Sequence, residues 1–196
     1  HNANFNYHTL SMARGEDLQI LVGGDLEVSS TAAELPADTA SLFNKLSLQA
    51  TGAIDFDAQL AIHSGILALQ SETAGVTIGA NTQIDLSGID LQWRDTEVHT
   101  MGGFLRIDAL TDIIFAQQAS PDYQIDVSGF ADQAAGGLEL TARQGSIDLG
   151  GATFSAINNS SSGADLFLSS HTELASDDLT TLISLNNNFG FDREFF

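Results

Sequence analysis

Cysteine is absent from the 196 residues. That single absence removes disulfides, thiolate metal sites and thiol nucleophiles. Basic residues are scarce: 6 Lys and Arg stand against 26 Asp and Glu, a formal net charge of -20. Phosphate backbones are bound by clustered Lys and Arg, so the balance argues against a nucleic-acid partner. It argues equally against docking on anionic lipid headgroups. No apolar run approaches the length of a membrane-spanning helix; the longest, Leu60 to Leu69, is interrupted by His63 and Ser64. The chain opens on His1 rather than Met, with no charged-then-apolar leader. The expectation is a processed chain or a cut fragment whose export signal is lost from view. Proline occurs only twice, and apolar residues never repeat at three- and four-residue spacing over several turns.

What recurs is strict alternation over short segments, the period of a strand with one buried face. From Lys45 to Gly65 the chain reads KLSLQATGAIDFDAQLAIHSG. Leu46, Leu48 and Ala50 are predicted inward, then Ile54 and Phe56, then Leu60 and Ile62, with Ala61 and His63 outward. From Gly136 to Ala156 it reads GGLELTARQGSIDLGGATFSA. Here Leu138, Leu140 and Ala142, then Ile147 and Leu149, then Ala152, Phe154 and Ala156 are predicted inward. Weaker copies cover Asp17–Val28, Gly75–Gly79, Gln83–Gly88, Ile89–Trp93, Tyr123–Gly129, Asp165–Ser169 and Leu182–Leu185.

These strands are about three to five residues long, and their turns are too short for crossover helices. An antiparallel sandwich or barrel and a parallel β-solenoid both fit that pattern. Three strands within one short stretch, with small residues beside large ones at inward positions, favour the solenoid. Glycines at the corners fit tight bends. The expected fold is all-β, a parallel β-solenoid of about eight or nine coils and roughly 40 Å in length at the strand spacing. One domain or segment would cover 1–196, with capping or contact segments at 1–15 and 187–196.

GLELTARQGSIDLGGATFSA resembles the repeats of filamentous-haemagglutinin-like exoproteins, and KLSLQATGAIDFDAQLAIHSG does so more loosely. These are large β-helical surface proteins exported by two-partner secretion in Gram-negative bacteria. The resemblance implies a right-handed parallel β-helix, an extracellular or cell-surface location, and a role as adhesin or stalk. That family's secretion domain carries Asn-Pro motifs. The prolines here sit in Leu35-Pro36 and Ser120-Pro121. The resemblance therefore implies the repetitive shaft or a distal module.

Outward acids are the main functional feature. Asp55, Asp57, Asp85, Asp90, Asp126 and Asp148 each lie between inward apolar residues. Stacked in columns they would offer hard oxygen ligands to Ca2+. The plainer reading is a solvated, edge-protecting surface. The calcium nonapeptide and EF-hand patterns are both absent. Paired acids such as Asp55/Asp57, Asp122/Asp126 and Asp177-Asp178 would suit a polysaccharide-cleaving enzyme. A lyase also wants a base, and only Arg14, Lys45, Arg94, Arg106, Arg143 and Arg193 are available. His1, His8, His63, His99 and His171 show no zinc spacing, and each is expected to be solvent-exposed. Trp93 and Tyr123 either stack on sugars from outside or pack within. Phe189, Phe191, Phe195 and Phe196 crowd the last eight residues, as a cap or a contact for a neighbouring module.

The reading is a structural and adhesive segment of a secreted or surface-exposed bacterial protein. Its partners would be copies or neighbouring modules of itself, or surface glycans. A polysaccharide-acting enzyme and a calcium-dependent binding module are the alternatives. A groove lined by both acids and bases would favour the enzyme.

Overall fold

The computed structural model describes residues 1–8, 10–31, 41–117, 123–150, 152–156, 164–172 and 193–195, with the backbone alone at Trp93 and at 193–195. The chain winds in rungs. It opens with β1 (Ala3–Tyr7), followed by β2 (Asp17–Val22) and β3 (Leu26–Ser30). The next rung is β4 (Lys45–Ala50), β5 (Ile54–Asp57) and β6 (Gln59–Ala61). Then come β7 (Ile66–Ser71), β8 (Val76–Ile78) and β9 (Gln83–Asp85). A hairpin follows, β10 (Asp90–Trp93) and β11 (Thr96–His99). The winding resumes with β12 (Phe104–Ala109), β13 (Ile113–Phe115) and β14 (Ile125–Asp126), then β15 (Gly137–Ala142), β16 (Ile147–Asp148) and β17 (Phe154–Ser155). The described strands end with β18 (Asp165–Ser170) and β19 (Arg193–Phe195).

Strands from successive rungs pair in parallel and form three faces. The first face is a seven-stranded sheet, β2-β4-β7-β12-β15-β18-β19. The second is six-stranded, β1-β3-β5-β8-β13-β16, and the third four-stranded, β6-β9-β14-β17. The fold is all-β and β-solenoid-like. Among the described residues there is no helix, hence none long and apolar enough to cross a membrane.

The alternation in the sequence creates the core. On the first face Leu46, Leu67, Leu105, Leu138 and Leu166 lie in register, one above another. Beside them run Leu48, Leu69, Ile107, Leu140 and Leu168, and then the small residues Ala50, Ser71, Ala109, Ala142 and Ser170. The small column stands where the chain turns toward the second face, so it tapers the interior. Ser71 is fully buried there, and its hydroxyl donates to the Gly52 carbonyl at 2.7 Å. The second face contributes the column Leu26, Ile54, Val76, Ile113 and Ile147, and the third Leu60, Ile84, Ile125 and Phe154. Phe115 and Phe154 close the gap between these faces, edge on, with ring centroids 5.5 Å apart. Every residue predicted inward in the two clearest stretches is buried. Each fully buried Leu or Ile adds about 1.5–3 kcal/mol of transfer free energy.

Among the described residues the longest sheet has seven strands, and the rung that starts at Ile66 carries the β10–β11 hairpin before β12 begins. Two expectations are corrected. Ala61 and His63, placed outward, are 4% and 8% exposed. The segment around Leu42 lies beside His63: Leu42 bridges His63, whose N–H donates to the Ser41 carbonyl. Ile89–Trp93, read as another rung copy, instead pairs antiparallel with Thr96–His99.

The opening segment joins the second face, since Ala3–Tyr7 pairs in register with Leu26–Ser30. Tyr7 Oη donates to the Gln59 carbonyl at 2.9 Å, and burial pushes its hydroxyl far above the ordinary tyrosine range. At the other end Arg193–Phe195 pairs with Asp165–Phe167. Phe189, Phe191, Phe196 and Leu182–Leu185 lie outside the described residues.

The corner leading into the first face is built on backbone contact between rungs. Phe104 N–H donates to the Gly65 carbonyl at 2.8 Å, and Gly137 N–H to the Gly103 carbonyl at 3.1 Å. A side chain on Gly136 would collide with the Gly103 carbonyl, and one on Gly103 with Gly65. Gly136→Ala is therefore expected to cost about 1–3 kcal/mol, read as a lowered urea midpoint. Gly23, where an added methyl meets nothing within 4 Å, is the control. Gly23→Ala should leave the midpoint unchanged or slightly raised. Equal effects from the two substitutions would contradict the contact.

Candidate functional site

The six outward aspartates do not form one column. Asp55 stacks on Glu27 and, on its other side, on Thr77. Burial lifts its pKa above the usual carboxylate value, and the charges of Asp57 and Glu27 add to the rise. Asp57 Oδ1 accepts the Asn81 N–H and its Oδ2 the Asn81 side-chain amide, both at 2.9 Å. Asp148 Oδ1 accepts the Gly150 N–H at 2.8 Å, tying a turn. Asp57 and Asp148 therefore have local structural work.

Asp85 and Asp126 do stack, as register partners on the third face. Asp85 Oδ1 accepts the Ser87 N–H at 2.9 Å, and Asp126 Oδ1 the Ser128 N–H at 2.8 Å. Beneath Asp85 the buried His63 Nδ1 lies 3.7 Å from Asp85 Oδ1, beyond hydrogen-bond length. Burial raises the Asp126 pKa; the Ser128 bonds oppose it, and the Asp85 charge reinforces it.

Asp90 sits apart, on the hairpin. Its register partner is His99, and that of Gln92 is Glu97. Directly opposed residues share a face, so Asp90, Gln92, Glu97 and His99 project together. Ligand atoms of Asp90, Glu97 and His99 lie within 4.8 Å of one another, the one such trio of acid and histidine groups among the described residues. His99 Nδ1 is 3.3 Å from Asp132 Oδ1, which belongs to the loop after β14. That bond, the largest influence on Asp132, holds its carboxyl below the usual range. The His99 ring also packs on Phe130 of the same loop, at 5.3 Å between centroids. Of the histidines expected in solvent, His1, His8 and His171 are exposed, His99 is half-buried and His63 is buried.

Outside the first face runs an open groove of about 330 Å3, lined by Phe104, Arg106, Gly137, Glu139, Asp165 and Phe167. Gly137 is its notch, between register partners Phe104 and Asp165. Arg106 Nε stands 3.3 Å from Glu139 Oε2, and both side chains remain half exposed. Phe167 is 41% exposed. Tyr123 is exposed as well, at 47%. Neither Phe104 nor Phe167 stands out in the sequence as a contact residue, because each occupies an outward slot where alternation signals a polar residue.

Asp126 supplies a pH test. Its raised pKa means that the folded chain holds this proton more tightly than the unfolded chain. The stabilisation is complete below the ordinary carboxylate pKa and is lost as pH rises through the raised value. Asp126→Asn keeps the Oδ1 acceptor for Ser128. It should raise the melting temperature at neutral pH and flatten the decline seen from about pH 4 upward. A lower melting temperature for the amide at neutral pH would show that the carboxylate charge is favourable there.

Compared with protein-family models, curated proteins and solved structures, the chain finds no match.

Proposed function

We propose that the chain is a right-handed parallel β-helix serving as a rigid, adhesive segment of a secreted or surface-exposed protein. The carrying observation is the register of the first face, where seven strands stack residue on residue and a leucine column runs through six of them, from Leu18 to Leu166. Stiffness follows from geometry, since successive rungs are hydrogen-bonded through parallel ladders, on three faces in the middle of the stack. At the strand spacing the seven rungs extend over about 30 Å. Parallel crossovers are right-handed in the great majority of sheets, which supports the handedness. The resemblance of Gly137–Ala156 to filamentous-haemagglutinin-like repeats supports the surface location, two-partner export and a Gram-negative source.

The outer groove is the contact surface in this reading, and a sugar ring of a surface glycan is its occupant. Phe104 and Phe167 offer apolar faces. Arg106, Glu139 and Asp165 offer hydrogen-bonding groups, and the ion pair keeps the groove closer to neutral than the acidic exterior. The same mixture of acids and a base favours a second reading, cleavage of an acidic polysaccharide. Against catalysis stands the pairing of the groove's base with Glu139.

A panel of immobilised polysaccharides tests both. Binding of at least one glycan, weakened tenfold or more by Phe167→Ala, with no reducing ends or unsaturated sugars released, is the expected result. Release of either product, abolished by Glu139→Gln or Arg106→Gln, would replace adhesion with catalysis.

A further inference from the structure

We propose that Asp90, Glu97 and His99 form a transition-metal site, best suited to Zn2+, on the hairpin that leaves the solenoid. This goes beyond the structural reading and does not depend on it.

The donor set argues the metal class. Two carboxylates and an imidazole suit Zn2+ and its neighbours in the transition series, whereas Ca2+ takes oxygen ligands alone. The three ligand atoms lie within 4.8 Å. A tetrahedral zinc with bonds of about 2.0–2.1 Å needs them about 3.4 Å apart. Asp90 and Glu97 are exposed and free to make that contraction by rotamer changes.

A third carboxylate, from another rung, supports the histidine. Asp132 Oδ1 engages His99 Nδ1, as outer-shell carboxylates do behind metal-bound imidazoles. With Nδ1 so engaged, we assign Nε2 to the metal. The Phe130 ring packs against the imidazole and restricts its rotation.

The base of the hairpin is fixed to the core. Thr100, next to His99, is 5% exposed. Its Oγ1 accepts the Ile89 N–H at 2.8 Å and the Ser64 hydroxyl at 2.7 Å, and its N–H donates to the Ile89 carbonyl at 3.0 Å. Phe130 N–H donates to the Thr100 carbonyl at 3.2 Å, so the loop bearing Asp132 is tied to the same point. The hairpin adds no strand to the three stacked faces, so the solenoid ladder does not account for it. Without a cation its two neighbouring carboxylates repel; a bound divalent ion removes that cost.

The test is calorimetric titration of the chelator-stripped chain with ZnCl2 near neutral pH, together with Co2+ absorption in the visible range. One Zn2+ per chain is expected, with a Co2+ spectrum of low coordination number. His99→Ala and Asp90→Asn should each weaken binding at least tenfold. Asp132→Asn should weaken it by about tenfold while leaving the stoichiometry at one. Urea midpoints of the metal-free variants should match the parent, since the hairpin lies outside the core; Glu97→Gln, which is nearly isosteric, serves as the ligand test if one does not. Zinc binding that survives His99→Ala and vanishes with His1→Ala would place the metal at the chain's first residue and overturn the proposal. So would the absence of a saturable site, or Ca2+ competing as well as Zn2+.

Discussion

Parallel, in-register stacking is the constraint from which the remaining features follow. Each residue of a rung sits directly over its counterpart, about 4.8 Å away. Inward positions are therefore held to one kind of residue from rung to rung: Leu46, Leu67, Leu105, Leu138 and Leu166 are all nearly inaccessible to water. Where the interior narrows, the column shrinks to Ala50, Ser71, Ala109 and Ala142. Where the backbone itself turns against the next rung, at Gly65, Gly103 and Gly136, even a methyl group has no room.

The same rule acts on the outer surface, where it is a hazard. Twenty-six acids on a stacked scaffold risk columns of like charge. The chain meets this in two ways. It interleaves acids with neutral residues, as Thr77 and Ile114 separate Asp55 from Asp148 on the second face. It also spends its few cations on the first face, where Lys45 lies in register with Asp17 and Arg106 with Glu139. Arg143 reaches from the end of β15 to Asp108, at 2.9 Å, and to the Ser71 carbonyl at 3.0 Å, spanning three rungs. Glu27 over Asp55 and Asp85 over Asp126 are acid pairs left stacked, and burial and repulsion leave their mark there on Asp55 and Asp126.

Because the constraint repeats in sequence as alternation, the architecture could be read from Lys45–Gly65 and Gly136–Ala156 before any coordinates. Errors arose where something other than rung stacking decides. His63 occupies an outward slot by period, yet Leu42 pairs with it, and sequence separation hides that contact. Asp90–Trp93 alternates like a rung, but Arg94, at φ 56°, helps turn the chain back on itself. The signal was available in outline: Asp90-Leu91-Gln92-Trp93 and Thr96-Glu97-Val98-His99 mirror each other across Arg94-Asp95. A search for metal spacing along one strand misses it, because Asp90 meets His99 through antiparallel pairing and Asp132 arrives from the following rung.

That last meeting shows how a repetitive scaffold builds a local site. The interior tolerates little variation, so new side-chain combinations must come from segments that leave the rungs. Stacking fixes where such segments emerge. Insertions at one corner of successive rungs project side by side and touch, although many residues separate them in the chain. The β10–β11 hairpin and the loop after β14 leave at the same corner, and Thr100 binds both to the core through Ile89, Ser64 and Phe130. His99 then meets Asp132 and Phe130 without any rearrangement of the ladder. The stacking that orders the rungs thus also holds their excursions in place.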